Sequence, residues 1–172
     1  MNIQGIEYDS LLNGDGIRAV LWVSGCFWKC PGCQNPGTHD PASGRPFTCD
    51  DLSDLSKYLS KKYVSGITLS GGDPLFPDNR KEIGTIVHFL KKSLPNKTIW
   101  LYTGYLWEDI SSLPFMKDID VVVDGPFIKQ YADKQYHWAG STNQRVINVK
   151  ESINAGKVIL HECAIFANSF MK

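Results

Sequence analysis

Apolar residues along the chain alternate between short continuous runs and runs spaced three or four apart. Residues 17–23 (IRAVLWV) are rich in β-branched and aromatic side chains and end at Ser24-Gly25, the pattern of a strand entering a turn. Residues 66–70, 98–102, 119–123 and 145–149 read the same way, and 158–160 is a sixth candidate. Between them, residues 48–62 place Leu52, Leu55 and Leu59 on one helical face, with Thr48 and Asp51 spaced as a capping box. Residues 77–94 repeat the helical spacing through Ile83, Ile86, Val87, Leu90 and Leu94, and Pro95-Asn96 stops it. A short helix is expected over 106–113, whereas 127–143 carries no period and reads as a long loop.

Strands alternating with helices imply parallel βαβ units, and continuous apolar strands imply burial on both faces. The expected fold is α/β, a partial (β/α) barrel of about five to six parallel strands, open on one side. No repeat, low-complexity tract or linker divides the 172 residues, so 1–172 is expected to form a single domain. One regularity outweighs the topology. A cysteine cluster, Gly71-Gly72-Asp73, Thr103-Gly104 and Asp124-Gly125 each follow the carboxyl end of a strand, the edge where parallel sheets bind ligands. One site is expected there.

A hydrophobic share of 42% with 21% charged residues fits a globular chain and excludes a disordered one. Eighteen basic and eighteen acidic residues cancel, so neither nucleic acid nor an anionic membrane is an expected partner. No long apolar run exists and the N-terminal segment is too polar for a signal peptide, which points to a cytoplasmic protein. In a reducing compartment the five cysteines become informative, because Cys26, Cys30 and Cys33 fall within eight residues. This C-x3-C-x2-C spacing suits three irons of a 4Fe–4S cluster and leaves the fourth iron without a protein ligand. Structural zinc with His39 or Cys49 as a lone fourth ligand, an electron carrier and a metal-free triplet stand as alternatives. Cys49 and Cys163 are isolated and read as small buried hydrophobes.

The cysteine loop resembles the signature of radical S-adenosylmethionine enzymes, and Ser70-Gly71-Gly72-Asp73-Pro74 resembles their glycine–acid motif. Asn13-Gly14-Asp15-Gly16-Ile17-Arg18, followed by Leu21 to Cys26, is similar to the opening of glycyl-radical-enzyme activating proteins, with Asp15 where proline is frequent. Blocks 100–105, 121–127 and 140–147 resemble, in that order, activases of anaerobic ribonucleoside-triphosphate reductase. The resemblance extends over residues 14–160. It implies that Cys26, Cys30 and Cys33 ligate a 4Fe–4S cluster whose open iron is chelated by S-adenosyl-L-methionine. Ser70, Gly71, Gly72 and Asp73 would face the methionine moiety, with Thr103 from the next strand edge. Gly32 stands where many of these enzymes place an adenine-holding aromatic, so its backbone and Trp28, or Phe27, would have to substitute.

Two further residues carry a physical argument. Arg145 begins an apolar strand, where a guanidinium calls for an anion such as the ligand's carboxylate, or else an ordinary ion pair. Asp124 could accept from ribose hydroxyls or hold a cation, or simply shape the turn before Gly125. The implied activity is hydrogen abstraction from a glycine of the partner reductase, with electrons from a low-potential donor such as flavodoxin. Rival readings are an activase of the formate-lyase type, a small enzyme acting on a free metabolite, and a zinc-stabilised binding module. Tyr131, Tyr136 and Trp138 of the long loop are candidates for partner docking or for core.

Overall fold

The apolar runs are realised with small shifts in the computed structural model, which describes residues 1–162. Strand β1 spans Asn2–Ser10, β2 Ile17–Val23, β3 Arg45–Pro46, β4 Val64–Gly71, β5 Thr98–Tyr102, β6 Val121–Asp124 and β7 Arg145–Asn148. Helix α1 spans Cys49–Leu59, α2 Pro77–Ser93, α3 Trp107–Ile110 and α4 Val149–Ala155. The capping box forms as the spacing predicts: Asp51 N donates to Thr48 Oγ1, and Thr48 N donates to Asp51 Oδ2.

The strands make one seven-stranded sheet in the order β3-β1-β2-β4-β5-β6-β7. β2, β4, β5 and β6 run parallel, while β1, β3 and β7 are antiparallel to their neighbours. The expectation of five to six parallel strands is therefore corrected to a mixed sheet with four. The reason is local. Residues 125–144 between β6 and β7 include no crossover helix, so nothing carries the chain back to start a parallel strand. Residues 158–160 form only an isolated bridge, Ile147 with Leu160.

Side-chain parity divides the sheet into two unlike faces. Leu21, Leu69, Leu101, Val122 and Ile147 stand in register on one face and join the main core, to which α1 and α2 contribute Leu55, Leu59, Ile83 and Leu90. The opposite face carries Val20, Thr68, Trp100 and Val121. No helix covers it among the described residues; Trp138 and Leu160 pack there instead, around Trp100. Arg18 is fully buried, donating to Thr68 Oγ1, Thr98 Oγ1 and the carbonyls of Asp15, Ile67 and Thr98. It also lies over the Trp100 ring at 5.2 Å, and burial lowers its pKa to about 10. Asp15 ties the covering segments down, accepting from Trp138 Nε1 (3.0 Å) and meeting His161 Nε2 (2.7 Å). No described helix is long and apolar enough to cross a membrane.

Candidate functional site

The cysteine loop leaves β2 at Val23 and is held in large part through its own backbone. Gly25 N donates to Thr38 O (2.8 Å) and Cys26 N to His39 O (3.1 Å). The next strand's loop docks against it, with Gly72 N on Val23 O and Asp73 N on Gly25 O, both at 2.8 Å. This contact explains the paired glycines. A Cβ on Gly71 would come within 2.5 Å of Val23 O, and one on Gly72 within 2.5 Å of Gly25 O. The close approach they permit is to the cysteine loop's own backbone, not only to a ligand.

Four loop ends then meet around one open cleft of about 210 Å³. Cys26, Trp28, Cys30 and Cys33 line it from the first loop, and Ser70, Gly71, Gly72 and Asp73 from the second. Thr103 and Gly104 follow β5, and Gly125, Pro126 and Phe127 follow β6. The three thiols are half-buried and form no disulfide, and burial raises the pKa of Cys26 and Cys30 above the ordinary thiol value. Among the described residues no three His, Cys, Asp or Glu side chains converge on a point as a single ion requires. Three thiols around one cleft could hold a polynuclear cluster. Cys49, read as a buried hydrophobe, is instead exposed at the start of α1 and takes no part; Cys163 lies outside the described residues.

Asp73 is almost wholly buried, at 1% exposure. Its carboxylate accepts from Leu75 N, Thr103 Oγ1, Gly104 N and Trp28 Nε1 at 2.8 to 3.1 Å. Burial pushes its pKa up while those four donors oppose the shift, and an arrangement of donors only suits the ionised form. Trp28 lines the cleft with its ring edge-on to Tyr105 (5.3 Å, 84°). Phe27 instead packs on Phe76 (4.5 Å) and does not line the cleft. Gly32 is exposed with φ +76° and does not line the cleft, and a Cβ there would press on the Lys129 side chain.

Asp124 and Arg145 do not line the cleft. Asp124 follows Val122 in parity and so faces the helix side, where Oδ2 accepts from Trp107 N at 2.8 Å. Arg145 pairs with it across the β6–β7 ladder, Nε on Oδ1 at 3.0 Å, and also reaches Glu108. The anion that an arginine in this strand requires is thus on the chain itself, and these contacts raise the arginine's pKa. Conversely, Asn13, Asn35, Tyr102 and Gln144 line the cleft although the motif reading named none of them as site residues. Gln144 had a signal, standing beside Arg145 in the 140–147 block; its Nε2 donates to Gly125 O (2.9 Å) and its Oε1 accepts from Gly140 N (3.0 Å). Of the long-loop aromatics, Tyr131 is exposed, Tyr136 donates to Gln144 O, and Trp138 packs on Trp100. With hydroxyls, amides and aromatic faces beside three thiols, the cleft suits a ligand carrying both polar groups and a flat ring.

A thiol-lined cleft at the carboxyl ends of parallel strands defines an iron–sulfur type of site, and a family model described as a 4Fe–4S single cluster domain matches residues 12–147. The chain is 45% identical over 146 residues to the anaerobic ribonucleoside-triphosphate reductase-activating protein of Enterobacteria phage T4, covering 85% of this chain and 93% of that one. The proteins of the same name from Escherichia coli strain K12 and Vibrio cholerae serotype O1 are 39% and 40% identical. Those matches cover 81% and 78% of this chain and 94% and 89% of the relatives. The chain belongs to this family of activating proteins.

Proposed function

We propose that this chain is a single-domain radical S-adenosylmethionine activase, acting over 1–172 on an anaerobic ribonucleoside-triphosphate reductase and working in the cytoplasm without nucleic acid or membrane. The observation that carries the reading is the convergence of Cys26, Cys30 and Cys33 with Ser70–Gly72, Thr103 and the β6 turn on one cleft. The names of the relatives support the partner. In this reading the four parallel strands form the partial barrel, whose open side admits a glycine-bearing segment of the reductase.

The three cysteines would hold the 4Fe–4S cluster, and the Ser70–Gly72 edge would take the methionine end of S-adenosylmethionine. Trp28 would border its nucleoside. Bound there, cluster and cofactor would supply reductive cleavage of the sulfonium, with one electron from a donor such as flavodoxin, and so the means to take a hydrogen atom from a glycine Cα of the reductase. The chain's own part is to seat and orient the ligand. Asp124 and Arg145 act in this reading as a structural pair.

The test is anaerobic incubation of the reduced, iron-loaded protein with S-adenosylmethionine and the reductase. A glycyl radical in the electron paramagnetic resonance spectrum, with release of 5′-deoxyadenosine, is expected, and neither with Cys30→Ala. An iron-replete protein that yields no 5′-deoxyadenosine overturns the reading, as does a purified protein that carries zinc alone.

A further inference from the structure

Asp73 stands where three loops meet, and its carboxylate is met by a donor from each of them. Oδ1 accepts from Leu75 N (2.8 Å) and Thr103 Oγ1 (2.9 Å), and Oδ2 from Trp28 Nε1 (2.9 Å) and Gly104 N (3.1 Å). Four donors fill the ordinary accepting capacity of a carboxylate, leaving nothing for a ligand's ammonium group. The indole of Trp28 is meanwhile seated on Gly104, where a Cβ would lie 2.3 Å from Nε1 and 2.4 Å from Cδ1. Trp28 is 39% exposed, so without these restraints its ring would be free to turn. A buried charge, a missing Cβ and the edge of Tyr105 together set one plane for it.

We infer that Asp73 is a positioning residue, fixing the Trp28 indole as the wall on which a flat ring of the bound ligand stacks, and that it does not contact the ligand itself. The inference rests on the proposed function, in which that ring is the adenine of S-adenosylmethionine. Trp28 then replaces the side chain that Gly32 lacks.

Two probes separate the roles: S-adenosylmethionine, and 5′-methylthioadenosine, which keeps the adenosyl group but has neither ammonium nor carboxylate. Binding to the iron-loaded full chain is measured anaerobically by calorimetry. Losing a base–aromatic stack weakens binding about tenfold or more, so Trp28→Ala should weaken both probes by a similar factor. Asp73→Asn should do the same at unchanged iron content, and should add nothing further in the Trp28→Ala background, because residues acting as a unit are not additive. Gly104→Ala displaces the indole while the Asp73 side chain is still present, so it gives the same pattern and keeps the test decisive if Asp73→Asn loses its iron. An Asp73→Asn protein that loses S-adenosylmethionine but keeps 5′-methylthioadenosine overturns the inference, since Asp73 would then hold the amino acid end. Further loss from Asp73→Asn in the Trp28→Ala background also overturns it, as does a Gly104→Ala protein with parental affinities. Parent protein that binds neither probe brings down the proposed function along with it.

Discussion

Asp73 and Asp124 are both buried aspartates at the carboxyl edge of the sheet, yet they do different work. Asp73 lies two residues beyond the end of β4, and its acceptors are filled by neutral donors from three separate loops. Asp124 is the last residue of β6 and is neutralised by Arg145, with one backbone N–H from the start of α3. One gathers the cleft; the other fastens a helix and an edge strand to the far face. Burial and a strand-end position are common to both. The difference is that Asp73 lies past the end of its strand, among loops that bring it donors, whereas Asp124 is still inside the β6–β7 ladder, opposite Arg145.

The largest effect is expected where the Asp73 side is built backbone against backbone. Gly72→Ala would set a Cβ 2.5 Å from Gly25 O and 2.9 Å from Thr38 O. Neither carbonyl can swing away as a side chain could, so the loops must part. A loss of about 3 kcal/mol, or roughly 10 °C in Tm, is expected. Iron content should fall with it, because the cysteine loop loses its backing. A Gly72→Ala protein with parental Tm and iron would show that the loop contact is dispensable.

Arg145→Ala tests the other side. It leaves the Asp124 carboxylate buried with Trp107 N as its one remaining hydrogen-bond donor. Stranding one member of a buried pair is costly, but the arginine side chain is 32% exposed, which moderates the loss to about 2 kcal/mol. Thermal unfolding should drop while S-adenosylmethionine affinity, read by calorimetry, stays at the parent level. Weakened affinity with parental Tm would return Arg145 to the cleft and erase the contrast with Asp73.

Most of this architecture was legible in sequence, and the exceptions have physical causes. β2, β4, β5 and β6 announced themselves because both faces are buried and largely apolar, and α1 and α2 because their buried positions recur at helical spacing. β1 was invisible: of NIQGIEYDS only Ile3 and Ser10 are buried, and Gly5 interrupts the alternation. Helix α4 was absorbed into the end of the β7 pattern, since its seven residues bury only Val149 and Ser152. The cleft was foreseeable because Cys26, Gly72 and Thr103 are local signals at strand ends. Asp124 and Arg145 looked equally suited, because a strand end in sequence does not say which side of the sheet its last residue faces. The Asp73–Trp28 bond joins residues 45 apart with no shared motif, so only the folded chain reveals it.

A third aspartate extends the contrast to the surface, where the smallest effect is expected. Asp51 closes the capping box of α1, accepting from Thr48 N and Oγ1 at 2.8 Å, and from both terminal nitrogens of Arg45. The Arg45 guanidinium first, and then the Thr48 donors, hold its carboxyl well below the usual carboxylate range. A folded-state pKa below the unfolded one means the contribution is complete above about pH 4 and is lost as the pH falls through the acid range. Asp51→Asn should therefore cost about 1 kcal/mol at pH 7, the ordinary value of a cap, seen as a lower urea midpoint. At pH 3 the gap between the two proteins should narrow, because the carboxyl is then largely protonated in the unfolded parent chain while it stays ionised in the fold. A gap of constant size from pH 7 to pH 3 would mean that the charge on Asp51 contributes nothing and that the cap works by shape alone.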